Sequence, residues 1–216
     1  MATYLEQSLA KLQEFEGSVP WMYRDTRGNV TVGVGLMLAE LTAAQRLPFL
    51  LGERAASASE IAVEFHRVDH LPMGRPSLFY RREGGPELAQ ETIAHLLRGV
   101  LLEFEATLRE RIVGYDGLPD GVKMALLDMA YNLGPAALLR EYPKLLHAIS
   151  NGAWAQAAAA CFRLGPGAAR NEWTRQMFLK GVVSTIRAEG EGALKRFGYG
   201  VVGFVATIVS RFRPSR

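Results

Sequence analysis

The sequence predicts a mainly α-helical fold with one small β-hairpin near the N-terminus. Apolar residues recur at helical spacing along most of the 216 residues, whereas between Met22 and Val34 the spacing changes to every second residue. The hydrophobic content of 49% is ample for a core, and the length suits one large domain or two closely packed lobes.

The first helix has both a start and a stop signal. Thr3 and Glu6 stand at the spacing of a capping box, and Gly17 supplies the stop after Glu16. The apolar stripe between these signals consists of Leu5, Leu9, Leu12 and Phe15. The hairpin follows, with residues 26–29 as the turn between its two short arms.

The middle of the chain is less regular, with short helices expected at residues 42–51 and 59–70. The longest helix is expected at residues 86–112, with Pro86 in its first turn. At a rise of about 1.5 Å per residue this helix would span roughly 40 Å, which is long enough to connect two lobes.

The C-terminal half is predicted to be helical. Asp120 is expected to cap a helix that Gly134 and Pro135 bring to an end. Shorter helices are expected after it, separated by turns that contain glycine, at residues 143–150, 153–163, 169–180 and 182–194.

The last segment, residues 191–216, forms a hydrophobic and basic tail. Its uncharged run, residues 197–210, holds about 14 residues, too few for a membrane-spanning helix, which needs roughly 20. We expect this run to dock on the protein itself. Insertion at a membrane interface and binding to a delivery partner are the alternative hypotheses.

Composition excludes several classes of protein. The net charge is +3, and Lys and Arg are scattered, so no nucleic-acid-binding face is predicted. The single cysteine, Cys161, excludes an internal disulfide and a thiolate metal site, and is expected to be a small buried residue. His66 and His70 share a helix face but lack a third ligand. No cofactor and no metal are therefore expected.

Two carboxylates and a hydroxyl are predicted to lie around one small volume, where the first helix meets the hairpin. Hydrolysis of a glycosidic bond needs one carboxyl group as proton donor and a second one ionised. Glu16 ends a helix, whose partial negative charge favours the protonated form, and Phe15 and Trp21 are expected to desolvate it. Asp25 lies beside Arg24 in a polar turn and should be ionised. The alternative is a solvated helix end followed by an ordinary turn.

These residues carry a family resemblance. Glu16-Gly17, Tyr23-Arg24-Asp25-Thr26-x-Gly28 and Thr31-Val32-Gly33-Val34-Gly35 together resemble the catalytic signature of the bacteriophage-type lysozymes. Residues 125–134 are similar to the family's helix beside the cleft, and residues 169–175 to its late Arg-bearing helix. The resemblance covers about residues 3–190.

The resemblance implies a two-lobed lysozyme-like α+β fold and a catalytic domain over residues 1–190. Within that domain it places a small lobe at about 14–85, the connecting helix at 86–112, and a helical lobe at 113–190 together with the first helix.

It also implies a muramidase that cuts the β-1,4 bond between N-acetylmuramic acid and N-acetylglucosamine, with inversion. Glu16 would be the general acid, Asp25 would orient or activate water, and Thr31 would support that water. The implied substrate-binding residues are Tyr23, Asn132, which would bind an acetamido group, and Arg170, which would pair with the catalytic Glu.

The implied partner is the peptidoglycan glycan strand, bound by a monomer. Because residues 1–16 lack a signal-peptide pattern, we expect synthesis in the cytoplasm and action on the cell wall after assisted export or lysis, as an endolysin or a secreted antibacterial effector. The alternative is an inactive lysozyme-fold module that binds glycan or a secretion partner. Four side chains of the unusually long segment 51–85 are expected to be solvated, with substrate contact as the alternative: Arg75, Tyr80, Arg81 and Arg82.

Overall fold

The computed structural model describes residues 2–189, so the predicted C-terminal tail lies outside the described residues. Within this part of the chain the helices are α1 Tyr4–Glu16, α2 Leu41–Gln45, α3 Ala58–Asp69, α4 Gln90–Arg111, α5 Asp120–Leu133, α6 Pro135–Glu141, α7 Pro143–Ser150, α8 Trp154–Ala160 and α9 Ala168–Glu189. The strands are β1 Val19–Arg24, β2 Val30–Gly33, β3 Leu36–Met37, β4 Leu50–Leu51 and β5 Arg54–Ala55. The prediction of a mainly helical chain with a small sheet is confirmed. No helix among residues 2–189 is both long and apolar enough to cross a membrane.

The chain divides into two compact units, with the boundaries inside α1 and α4. The first, called here the sheet unit, is Leu9–Val100. The second, called here the helical unit, consists of Met1–Ser8 and Leu101–Arg216, of which residues 2–8 and 101–189 are described.

The sheet unit is built around an antiparallel sheet in the order β1-β2-β3. Tyr23 pairs with Thr31 and Arg24 with Val30, as the predicted hairpin requires, whereas β3 was not predicted. Gly33 in β2 has φ +68°, and a Cβ there would lie 3.2 Å from Ile93 Cγ2 of α4. Glycine is therefore needed both for the backbone angle and for the close packing of α4 on the sheet.

Two helices that begin in the sheet unit are shorter in the structure than the sequence predicts. The helix predicted at 86–112 begins at Gln90, because Glu87 exchanges backbone hydrogen bonds with Leu50 at 2.8 and 2.9 Å and Leu88 donates to Pro20 O at 2.8 Å. The backbone of residues 87 and 88 is therefore extended, and it adds to the sheet along the free edge of β1. The helix predicted at 42–51 ends at Gln45 for the same reason, since Leu50 belongs to β4.

The helical unit packs α5 against α9, and α8 against both α7 and α9. The helix predicted at 143–150 is confirmed, and Cys161 is buried. Asp120 does not cap α5, because Pro119 occupies the capping position. Pro135 begins α6, which was not predicted, instead of only ending α5.

Up to Glu189, the last described residue, the two helices predicted at 169–180 and 182–194 are a single helix, α9. Gly181 lies inside this helix and does not end it. Glycine is needed at this position because the close approach of α8 leaves no room for a larger side chain.

Replacing Gly181 with Ala tests this close packing. An added Cβ would lie 2.8 Å from Trp154 Cγ and 3.0 Å from Val122 Cγ2, so we expect overpacking to lower the free energy of unfolding by about 1–3 kcal/mol. Gly99→Ala in α4 is the matched control, because nothing lies within 4 Å of its added Cβ. There, the better helix propensity of Ala should raise the free energy of unfolding by about 0.5–1 kcal/mol. Urea unfolding measures both, and equal stabilities would contradict the packing.

Candidate active site

Asp25 follows β1 directly and begins the hairpin turn. Its Oδ1 accepts hydrogen bonds from the backbone N–H groups of Arg27 and Asn29, both at 2.8 Å, and its Oδ2 accepts one from Asn29 Nδ2 at 3.1 Å. The Asp25 N–H donates in turn to Asn29 O at 2.9 Å. The carboxylate is therefore held in one orientation by the turn that it begins.

The same hydrogen bonds set the charge of Asp25. Partial burial acts to raise the pKa of this carboxyl group, but the hydrogen bonds donated by Asn29 and Arg27 outweigh burial and hold the pKa below its ordinary value. Asp25 is consequently ionised at neutral pH. In that state it can accept a proton but has none to donate.

Arg24 has a different role from the one predicted. Its guanidinium donates to Gly28 O at 2.8 Å and to Leu71 O at 2.9 Å, and lies 3.9 Å from Asp69 Oδ1. Arg24 thus fastens the turn to the segment after α3, and the largest effects that lower the pKa of Asp25 are the hydrogen bonds from the turn itself. Sequence reasoning missed Asn29, although Asp and Asn side chains in turns commonly hydrogen-bond to nearby backbone.

Tyr23 and Thr31 are paired across β1 and β2, so their side chains lie on the same face of the sheet. Thr31 is buried, and its Oγ1 donates to Asn29 O at 3.2 Å. Because this bond uses the hydroxyl proton, the lone pairs of Thr31 Oγ1 are suited to accept a hydrogen bond from water. On this face the pair therefore offers a phenol and a hydroxyl.

Glu16 is the last residue of α1, and Gly17 with φ +75° turns the chain toward β1. The Glu16 side chain is exposed, so the predicted desolvation is not found. Trp21 is occupied elsewhere: its indole N–H donates to Ser77 O at 2.8 Å, and the Arg81 guanidinium lies 4.7 Å from the centre of its ring.

Tyr23 links the two acids electrostatically. Burial is the largest effect that raises the pKa of its phenol, and the negative charges of Asp25 and Glu16 raise it further. Both carboxylates thus act on one hydroxyl group, which stays protonated and can donate a hydrogen bond. Within the sheet unit, the structure brings Glu16, Tyr23, Asp25 and Thr31 into one region.

Among residues 2–189, no group of three or more His, Cys, Asp or Glu side chains is arranged to hold a metal ion. The groups that the described site offers are two carboxylates, a phenol and a hydroxyl.

Comparison with known proteins identifies the fold. A P22 lysozyme mutant matches with a TM-score of 0.51 and 19% sequence identity, over 83% of this chain and 99% of that lysozyme. The muramidase domain of SpmX from Asticaccaulis excentricus matches with a TM-score of 0.50 and 17% identity, over 80% of this chain and 95% of the domain. This chain has a lysozyme-like fold. No protein-family model and no curated protein matches its sequence.

Two predicted site residues of this lysozyme-like fold belong to the helical unit. Asn132 is exposed in the last turn of α5. Arg170 is buried, and its Nε donates to Asp128 Oδ1 at 2.7 Å, while the other carboxylate oxygen, Oδ2, is 2.6 Å from Arg163 Nη2. Arg170 therefore has a structural partner that was not predicted. Substrate binding by Asn132 and pairing of Arg170 with Glu16 stay predictions.

In the long segment before α4, Arg75, Arg81 and Arg82 are exposed, as expected, whereas Tyr80 is not. Tyr80 is buried, and its hydroxyl donates to Pro72 O at 2.6 Å. Arg82 Nη2 lies 3.1 Å from Oε2 of Glu64, a carboxylate that is itself buried. Tyr80 thus connects two parts of the segment and Arg82 pairs with α3, which leaves Arg75 and Arg81 as the segment's candidates for substrate contact.

Asn29→Ala tests what keeps Asp25 ionised. Removing the Nδ2 donor should raise the pKa of Asp25 toward its ordinary value, as followed by NMR titration of its carboxyl carbon. A carboxyl group whose pKa is lowered by folding stabilises the folded state at pH values above its unfolded-state pKa. This stabilisation is lost as the pH falls through the folded-state pKa. The variant should therefore lose less unfolding free energy on acidification. Thr26→Ala, an exposed change in the same turn, should leave the titration unchanged. An unchanged Asp25 titration in Asn29→Ala would contradict this account.

Proposed function

We propose that the protein is a muramidase that hydrolyses the β-1,4 bond between N-acetylmuramic acid and N-acetylglucosamine in peptidoglycan. The observation that carries this proposal is the ionised carboxylate of Asp25, which three hydrogen bonds hold at the end of β1, in the same unit as Glu16, Tyr23 and Thr31. The lysozyme-like fold and the muramidase name of one structural neighbour support the choice of substrate.

The fixed charge of Asp25 assigns the roles of the two acids. Because Asp25 is ionised at neutral pH, it serves as the base, and Glu16 serves as the proton donor. In the proposed reaction Glu16 protonates the glycosidic oxygen as its bond to the anomeric carbon breaks. Water adds its oxygen to that carbon, and Asp25 takes the proton that the water loses.

The hydrogen bonds on Asp25 suit it to holding a water in place. Three donors, namely two backbone N–H groups and the Asn29 amide, stabilise its negative charge and fix its orientation, which makes the carboxylate a weaker nucleophile and a weaker base but a well-oriented acceptor for water. Thr31 Oγ1 can accept a hydrogen bond from the same water. We therefore infer an inverting reaction, in which water enters on the face opposite the leaving group.

The proposed place of action is the cell wall, reached through export or lysis. An endolysin and a secreted antibacterial effector would both use this reaction, and the first is favoured by the likeness to a phage lysozyme.

Glu16→Gln tests the proton donor. The rate at which the purified protein lowers the turbidity of isolated cell walls should fall about 10²–10⁴-fold, because Gln has no proton of suitable acidity to donate. Glu14→Gln is the matched control: it makes the same change two residues earlier in α1, where the side chain is 65% exposed and pairs with Lys11 at 2.5 Å. Its rate should equal that of the unmodified protein.

Equal rates for Glu16→Gln and the unmodified protein would contradict the assignment of Glu16. A protein that binds cell walls but never lowers their turbidity would contradict the proposed function and would favour the inactive glycan-binding module.

A further inference from the structure

A polar pocket lies in the sheet unit, on the side of β1 away from β2. It has a volume of about 340 Å³ and opens between the β4–β5 hairpin and the segment before α4. Cavities that bind small molecules begin at about 300 Å³, so the pocket has room for one ligand of sugar size. Its lining includes Leu50, Gly52, Arg81, Gly84, Gly85 and Glu87.

Arg81 and Glu87 contact each other and their neighbours in the sheet unit. Arg81 Nε donates to Glu87 Oε1 at 3.0 Å, and the guanidinium lies 4.7 Å from the centre of the Trp21 ring. Glu87 is itself anchored through its backbone, which pairs with Leu50. Because these contacts restrict two long side chains, a ligand that binds to them orders fewer side-chain rotamers than it would at two isolated residues.

The pair presents donors and an acceptor side by side. Arg81 is 49% exposed and Glu87 34% exposed. Within the described chain, no hydrogen bond joins Arg81 Nη1, Arg81 Nη2 or Glu87 Oε2 to another residue. Guanidinium and carboxylate groups in this arrangement match neighbouring hydroxyl or acetamido groups of a sugar, each of which donates and accepts hydrogen bonds.

The balance of charge distinguishes between ligand classes. A free carboxylate in the pocket would be attracted by Arg81 and repelled by Glu87 at similar distances, so the two terms largely cancel. An ammonium group meets the same cancellation. A neutral polar ligand gains hydrogen bonds to both residues without this penalty, and a sugar is therefore favoured over the charged stem peptide of peptidoglycan.

The pocket is continuous with the chain that carries the candidate acid. Ser18, two residues after Glu16, has its Oγ 2.8 Å from Gln90 Oε1, and Leu88 of the pocket donates to Pro20 O. The pocket wall thus runs along the same edge of β1 that begins just after Glu16 and Gly17.

We propose that this pocket is an accessory saccharide site, which holds one N-acetylhexosamine unit of a β-1,4-linked glycan strand through Arg81 and Glu87. The choice of sugar rests on the proposed muramidase function. The site binds the polymer without contacting the reacting atoms. Its loss should therefore weaken substrate binding while the turnover number stays unchanged.

The test uses the full chain with Glu16→Gln, so that the ligand is not cleaved, and a β-1,4-linked tetramer of N-acetylglucosamine as the probe. In NMR titration, the backbone amide signals of Gly52, Gly84 and Gly85 should shift with added tetramer. Adding Arg81→Ala or Glu87→Gln should raise Kd about tenfold, which corresponds to about 1.4 kcal/mol. Adding Arg46→Ala, which removes an exposed arginine outside the pocket lining, should leave Kd unchanged.

Unshifted glycine amides, or an Arg81→Ala affinity equal to that of the Arg46→Ala control, would overturn the accessory site even if the unmodified protein cleaves cell walls. Shifted glycine amides and a raised Kd would support the site even if cell walls are not cleaved, in which case only the proposed function fails.

Discussion

The carboxylate of Asp25 is the constraint on which the site depends, because one group both builds the hairpin turn and carries the charge. Three hydrogen bonds from Arg27 and Asn29 orient it and lower its pKa. An aspartate that served only to close a turn would not need other candidate site residues near its carboxylate. Here its charge also acts on the phenol of Tyr23, so the turn geometry and the proposed chemistry use the same carboxylate.

The surroundings of the turn keep this carboxylate in place. Arg24 fastens the turn to the segment after α3 through carbonyl oxygens at 2.8 and 2.9 Å, and Thr31 is fixed by its register with Tyr23 in the sheet. None of these residues needs to move for Asp25 to orient water. In the proposed reaction, an Asp25 carboxylate held in one orientation would place the water while the exposed Glu16 donates the proton, as hydrolysis by inversion requires.

Local signals in the sequence predicted much of the fold. The Thr3–Glu6 capping pair is confirmed, as its backbone N–H groups bond to the partner side chains at 2.8 and 3.2 Å. Non-local pairing was not predictable: Glu87 joins a sheet through Leu50, which is distant in sequence, so the start of α4 was placed too early. In the site, the motif gave the residue types, but the partner that holds Asp25, Asn29, depends on turn geometry. Likewise, the burial of Tyr80 was not predictable, because it depends on how the loop packs in the folded protein.

The products released from purified peptidoglycan sacculi, identified by mass spectrometry, test the central claim most directly. If Asp25 holds a water for attack on the anomeric carbon, every released saccharide should end in a reducing N-acetylmuramic acid that carries the oxygen of that water. Saccharides that end instead in an anhydro sugar would show that no water adds at this step, and would contradict the role given to Asp25.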